Sequence, residues 1–268
     1  MKKCLVCQRK NIGNLCEECL KNPFRTEDYR RILAEKGELQ LLKKVYTSSF
    51  PEIKDINTPQ MWNETFKTIG NIKDQDGMTK DRVKTAYKFL PSTCNKILDI
   101  GAGAGFIEEY LIRNKNIQIY ANDFSDISIE KLKKKFKGNF EKQSIYNLKY
   151  PNNFFDCIFI LEILEHIPPS KVFTVLRDVK KILCRNGSLI VSVPMNEVLE
   201  KMKDNPNGHV RDYTYPLIKA ELELTGFKII ESKELYAFKN FYLAKKILSR
   251  LFKNRWKPNN IVIKAQLT

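Results

Sequence analysis

From Lys96 onward, short apolar runs alternate with helical stretches, and this alternation restricts the chain more than any other feature. The runs are 96–100 (KILDI), 117–121 (IQIYA), 139–143, 155–161 (FDCIFIL), 187–193 (GSLIVSV), 227–232 and 260–266. Helical periodicity at 105–114, 126–137, 170–184 and 214–225 separates most of them. Strands joined through helices of that length make βαβ units and a largely parallel sheet. Such a sheet binds ligands beyond the carboxyl ends of its strands, at the point where strand order reverses.

The first of these strands runs into Asp99-Ile-Gly101-Ala-Gly103-Ala-Gly105. Glycines at this spacing permit a tight turn, let a ligand approach the backbone, and open a helix whose first N–H groups are free. No Gly-Lys-Ser/Thr follows, which removes a nucleotide-triphosphate loop. A dinucleotide dehydrogenase uses a related turn and competes at the level of fold. The flanks discriminate: Asp99 precedes the first glycine, and a second strand ends 24 residues later in Ala121-Asn122-Asp123, where a carboxylate can take both hydroxyls of a ribose.

With these motifs in order, residues 79–268 resemble the class I S-adenosylmethionine-dependent methyltransferases. DIGAGAG resembles the first motif of that family, ANDFS the acidic end of its second strand, and FFDCIFILEILEHIP its fourth strand and following loop. The resemblance implies a Rossmann-like seven-stranded, mostly parallel sheet with helices on both faces and an antiparallel final hairpin. It also implies that Gly101, Gly103 and Gly105 pass the methionine part of the cofactor, Asp99 orients its amino group, and Asp123 holds the ribose. Leu161 and Ser144 complete the cofactor set. Ser144 stands where the family often carries an acidic residue near the adenine.

Four of the seven cysteines lie in the first 19 residues, as Cys4-x2-Cys7 and Cys16-x2-Cys19. Two such knuckles complete a closed tetrahedral zinc site, which serves folding or docking rather than chemistry. Disulfides are the competing reading, disfavoured because the opening MKKCLVCQRK lacks the apolar core of a signal peptide. The expectation is a cytoplasmic protein, with a zinc knuckle and helix over 1–46, a linker and lead-in over 47–78, and the catalytic domain from 79. One continuous helix is expected over 26–44, and the Ser, Thr and Pro punctuation of 47–60 marks the linker.

The chain has two histidines. His166 follows the fourth strand in Glu162-Ile-Leu-Glu165-His166, and His209 lies after the fifth in Asn207-Gly-His-Val-Arg-Asp-Tyr. Both should open onto the acceptor side of the cleft. Two carboxylates and two imidazoles can hold a second divalent metal with positions left for substrate hydroxyls. An E-x-x-E-H segment with a later histidine resembles two branches of the family, the ubiquinone-biosynthesis O-methyltransferases and the enzymes that methylate the terminal 2′-hydroxyl of small RNAs. The alternative is a metal-free pocket in which His166 acts as base or hydrogen-bond partner.

The net charge is +16, and half of that excess lies in residues 228–268, which carry 10 basic and 2 acidic side chains. Residues 239–257 (KNFYLAKKILSRLFKNRWK) read as a basic amphipathic insertion between the sixth and seventh strands, with Leu243, Ile247, Leu251 and Phe252 along one side. It can pack its stripe on the domain, lie on an anionic membrane, or grip a phosphodiester. The leading expectation is O-methylation of a hydroxyl on a small or lipid- or sugar-linked metabolite. RNA methylation, docked through the zinc module and basic helix, is the runner-up, and a non-catalytic interaction module is the third reading. At 43% hydrophobic and 29% charged residues, with no apolar run of membrane-spanning length, the chain reads as a soluble globular protein.

Overall fold

The computed structural model describes residues 2–202, 205, 207–238, 241–251 and 255–268. A two-stranded hairpin, β1 (Lys2–Lys3) and β2 (Lys10–Asn11), leads to helices α1 (Glu17–Lys21), α2 (Pro23–Glu35) and α3 (Leu39–Tyr46). Next come α4 (Pro59–Thr68) and α5 (Gly77–Phe89), then β3 (Lys96–Ile100), α6 (Glu108–Leu111), β4 (Gln118–Asp123), α7 (Asp126–Lys135) and β5 (Asn139–Lys142). The second half contains β6 (Phe155–Leu161), α8 (Pro169–Ile182), β7 (Leu183–Pro194), α9 (Tyr215–Leu224), β8 (Phe227–Leu235), α10 (Tyr242–Leu251) and β9 (Asn260–Leu267). Among the described residues, no helix is long and apolar enough to cross a membrane.

Seven strands form one sheet in the order β5-β4-β3-β6-β7-β9-β8, parallel except for β9, which runs antiparallel to both neighbours. The central strands are covered on both faces, which is why β6 reads as the unbroken run FDCIFIL rather than as an alternating pattern. Alternation instead sorts residues between the two faces. Leu98, Ile100, Ile158 and Ile160 pack with α8 and α9, whereas Ile97, Cys157 and Phe159 pack with α5, α6 and α7. The chain passes from β3 outward to β5 and then returns across β3 to β6, so the order reverses between β3 and β6.

Two expectations are corrected. The single helix over 26–44 is two helices, α2 and α3. Gly37 takes φ +70°, Gly37 N–H donates to the Ala34 carbonyl (3.1 Å), and Glu38 N–H donates to the Leu33 carbonyl (2.9 Å). This left-handed termination ends α2 and redirects the chain, despite apolar spacing that continues through the break. Nor is 47–60 a spacer. Glu52 accepts from Ser170 N–H (2.6 Å), the Asn57 amide donates to the Gly208 carbonyl (2.8 Å), and α4 begins inside it at Pro59, capped by Thr58.

The amino-terminal helices share the main core: Leu33, Leu42, Val45 and Tyr46 belong to the same apolar cluster as Leu98 and Ile158. A buried polar cluster fastens them. Arg211, fully buried, donates through Nε to Glu27 (2.9 Å), through Nη2 to Glu221 and to Tyr46 Oη (2.9 Å), and through Nη1 to Tyr213 Oη (3.2 Å). Arg30 pairs with the second oxygen of Glu27 (3.0 Å). Burial favours the neutral acid at Glu27, yet Arg211 and Arg30 together hold its carboxyl below the usual range. Removing one partner of a buried pair strands the others without solvent. Arg211→Met should therefore lower unfolding stability by about 3–5 kcal/mol. A urea midpoint equal to that of the parent protein would show that the cluster contributes nothing.

Candidate active site

A cavity of 910 Å³ opens at the carboxyl ends of β3, β4 and β6. Its floor is the glycine turn. Gly101 (φ +73°) and Ala102 both donate N–H to the Asn122 carbonyl (2.8 and 3.0 Å), pinning the turn to the end of β4. The positive φ of Gly101 would strain any side chain there, and a Cβ would sit 2.2 Å from Ile163 Cδ1, which would have to move. Gly105 has a different role: it does not line the cavity, and a Cβ there would press on Phe136 and Leu132 at 2.6 and 2.8 Å. It lets α7 approach the turn.

Asp123 lies at the cavity wall with both oxygens engaged. Oδ2 accepts from Gly103 N–H (2.9 Å) and Oδ1 from Ser125 N–H (2.8 Å). Ser125 caps α7, accepting from Ser128 N–H at 3.2 Å, and Ser128 Oγ donates back to the Gly103 carbonyl (2.7 Å). The strand end, the turn and the helix start are thus one bonded unit, and each carboxylate oxygen keeps a second lone pair for a ligand. Burial raises the Asp123 carboxyl against those N–H bonds. Ser144 and Leu161 also line the cavity, as does Asp99, which is buried beside Glu108 of α6.

The acceptor side separates the two glutamates. Glu162 (φ +58°) accepts from Arg82 Nη1 (2.9 Å), Ser192 Oγ (2.8 Å) and Asn260 Nδ2 (2.9 and 3.0 Å). It clamps α5, β7 and β9 together and is not among the three residues of the expected metal set whose ligand atoms converge. Glu165, His166 and His209 do meet, each offering a ligand atom within 4.8 Å of the others. Glu165 is fully buried and neither carboxylate oxygen has a hydrogen-bond partner among the described residues. Its carboxyl is pushed well up by burial and by the nearby Glu162. His166 Nδ1 lies 3.2 Å from the Gly208 carbonyl, an acceptor only, so Nδ1 carries the proton and Nε2 a lone pair. Burial, then His209, lowers His166 to about 4, keeping it neutral near pH 7. His209 Nδ1 meets Glu197 Oε2 at 2.6 Å, which fixes the orientation of the ring.

Several participants carry no local signal in sequence. Glu197 orients His209, and its loop is held by Asp212, which accepts from Glu197 N–H and Val198 N–H (both 3.0 Å) and pairs with Arg31 of α2 (2.7 Å). Trp62 of α4 sets its ring edge against His166, centroids 5.0 Å apart. Phe66 and Met61 line the cavity with it, Phe66 lying against Gly103 of the glycine turn. At the amino terminus the four cysteine sulfurs lie within 4.8 Å of one another and none is in a disulfide. Burial would raise the Cys4 thiol, but backbone N–H groups of Cys7, Cys16 and Val6 bring it down to about 6.

The family profile described as a methyltransferase domain matches residues 97–187, which hold the glycine turn, Asp123 and the Glu162–His166 segment. An uncharacterised protein of Methanocaldococcus jannaschii is 30% identical over 165 residues, 60% of this chain and 68% of that protein. The phosphoethanolamine N-methyltransferase of Plasmodium falciparum is 24% identical over 155 residues, 54% of this chain and 58% of that enzyme. The structure of the N-methyltransferase NodS from Bradyrhizobium japonicum with S-adenosyl-L-homocysteine superposes with a TM-score of 0.60 at 14% identity, covering 79% of this chain and 99% of NodS. A methyltransferase structure from Archaeoglobus fulgidus gives 0.56 at 17% identity, covering 78% and 99%. Residues 97–187 match a methyltransferase domain, and the chain has the fold of the class I S-adenosylmethionine-dependent methyltransferases.

The Asp99–Glu108 pair makes the protein sensitive to pH. Burial raises both carboxyls, Glu108 adds to the rise at Asp99, and Glu108 itself is lifted to about 7 from 4.5. The folded chain therefore keeps a proton that the unfolded chain gives up near pH 4.5, so stability from this pair is full below that pH and falls as pH rises through 7. The loss should be on the order of 1–3 kcal/mol. Glu108→Gln should flatten the fall in melting temperature between about pH 5 and pH 8. An identical fall in the variant would place its source elsewhere.

Proposed function

We propose that this methyltransferase acts on a hydroxyl of a small or lipid- or sugar-linked metabolite, with Glu165, His166 and His209 holding a divalent cation beside the acceptor. The carrying observation is Glu165, a fully buried carboxylate with no hydrogen-bond partner among the described residues, whose ligand atom lies within 4.8 Å of one from each of two histidines. A buried carboxylate without donors is costly, and a cation resolves that cost. The Gly208 carbonyl and Glu197 act as the outer partners that fix ring orientation in metal-binding histidines. Three protein ligands leave coordination open to substrate, as catalytic sites require.

When bound, S-adenosylmethionine supplies an electrophilic methyl group on sulfur. Gly101 and Gly103 admit the methionine part against bare backbone, Asp123 accepts from the ribose hydroxyls, and Ser144 and Leu161 face the adenine side. A cation at the three-residue site would lower the pKa of an acceptor hydroxyl, so that the nucleophile forms near neutral pH. In a pocket without the cation, the Nε2 lone pair of neutral His166 would instead take that proton. Trp62 and Phe66 exclude water from the path between the two ligands, and alignment supplies much of the acceleration. The four cysteines are proposed to hold a structural zinc. N–H donation to Cys4 Sγ and the lowered Cys4 thiol support a thiolate at that position.

The test combines calorimetric binding of S-adenosyl-L-homocysteine with elemental metal analysis. We expect one zinc per chain, lost in Cys4→Ser with Cys16→Ser, and a second metal lost in His166→Ala with His209→Ala. Asp123→Ala should weaken cofactor binding by about tenfold or more while leaving both metals. Unchanged metal content and activity in the double histidine variant would overturn the metal-assisted reading. Unchanged cofactor affinity in Asp123→Ala would remove the ribose assignment.

A further inference from the structure

The helix α10 is oriented opposite to the arrangement that would bury its apolar stripe. Leu243, Ile247 and Leu251, four residues apart, are 73%, 58% and 71% exposed, and Phe241 before them is 81% exposed. The side facing the protein is polar. Tyr242 Oη donates to Asp81 of α5 at 2.5 Å, Lys246 pairs with the same carboxylate, and Ser249 is buried. Phe252 and Lys253, placed in this helix by sequence, and the side chain of Arg250 lie outside the described residues. The attachment is built rather than incidental. The Tyr242 ring lies over Gly77, where a Cβ would come within 2.6 Å of it, and Phe238 packs against Tyr236, Tyr242 and Trp256 at 5.9, 6.3 and 5.8 Å between centroids.

The surroundings specify what covers the exposed stripe. No acidic residue occurs after Glu234, while Lys245, Arg250, Lys253, Arg255 and Lys257 lie in or just beyond α10 in addition to Lys246, which is paired with Asp81. Arg255 and Lys257 are exposed, and Trp256 beside them is half-buried. An apolar stripe flanked by cations and aromatic rings matches a bilayer interface, where acyl chains take the stripe and anionic headgroups the cations. α10 also stands at the mouth of the cavity. It packs on the start of α5, whose Met78 and Arg82 line that cavity together with the capping Asp76, and Ala237 and Asn259 on either side of it line the cavity too.

We infer that α10 docks the enzyme on an anionic lipid surface, with the cavity mouth at the headgroup layer. This rests on the proposed acceptor only where that acceptor is lipid-linked; the docking itself depends on α10 alone. The test is co-sedimentation of the full chain with vesicles of phosphatidylcholine alone or with about 30% phosphatidylglycerol, with Leu243→Ser/Ile247→Ser as the variant. Replacing two large apolar side chains at a bilayer interface by serine corresponds to about tenfold or more in partitioning. We expect binding to the anionic vesicles, weakened by about 0.5 M salt and at least about tenfold by the variant. S-adenosyl-L-homocysteine affinity should be unchanged in that variant, which separates docking from folding and from the acceptor assignment. Equal binding of parent and variant, or no preference for anionic vesicles, would overturn the inference. So would a concentration-dependent dimer in sedimentation velocity that the variant abolishes, because a second copy would then own the stripe.

Discussion

Arg211 is a guanidinium with no exposure to water, and much of the acceptor side depends on how its charge is met. Glu27 comes from α2, Glu221 from α9 and Tyr46 from α3, so one side chain gathers three helices. Two arginines face two carboxylates, and an electrically balanced cluster is the condition under which such burial is tolerable. The neighbours of Arg211 in sequence are then fixed without further choice. Asp212 meets Arg31 and holds the Glu197 loop, while His209, two residues before Arg211, is brought to Glu197 and Glu165. The amino-terminal module is thereby part of the architecture of the acceptor side as well as a cysteine cluster.

The cofactor side is built on a different principle. Here the backbone of the glycine turn lines the cavity, and side chains hold it in shape. Asp123 fastens the glycine turn through Gly103, Ser128 returns a bond to the same residue, and Asn122 accepts from Gly101 and Ala102. A buried acid that both supports the turn and faces the cavity couples ligand binding to local order. Asp99 and Glu108 add a second buried acidic element under the same turn, at a cost in stability above neutral pH.

The architecture is largely legible in the sequence because its signals are local. FDCIFIL suits a strand buried on both faces, and the strand bounds 96–100 and 155–161 expected from sequence are those observed. DIGAGAG marks its own turn through residues that must take positive φ. Where expectation and structure part, the deciding partner is distant or the signal is a single residue. Gly37 ends a helix inside a pattern that continues past it, and 47–60 looks like punctuation yet is bonded to residues 118 and 151 positions away. Trp62 and Glu197 line the cavity with no motif to announce them.

Sequence by itself determined the parallel sheet, the glycine turn with Asp99 and Asp123, the paired cysteine knuckles and the basic amphipathic segment. Tertiary structure decided which acids are free and which way a helix faces. Glu162 and Glu165 are equivalent candidates along the chain. Arg82, Ser192 and Asn260, brought from 80, 30 and 98 residues away, consume the first and leave the second unpartnered among the described residues. The stripe of α10 has the spacing of a core-facing helix, but Asp81 binds its polar side and turns the stripe to solvent. Periodicity tells which side chains share a face. Only the folded chain tells what stands opposite that face, because that neighbour is set by long-range packing rather than by spacing.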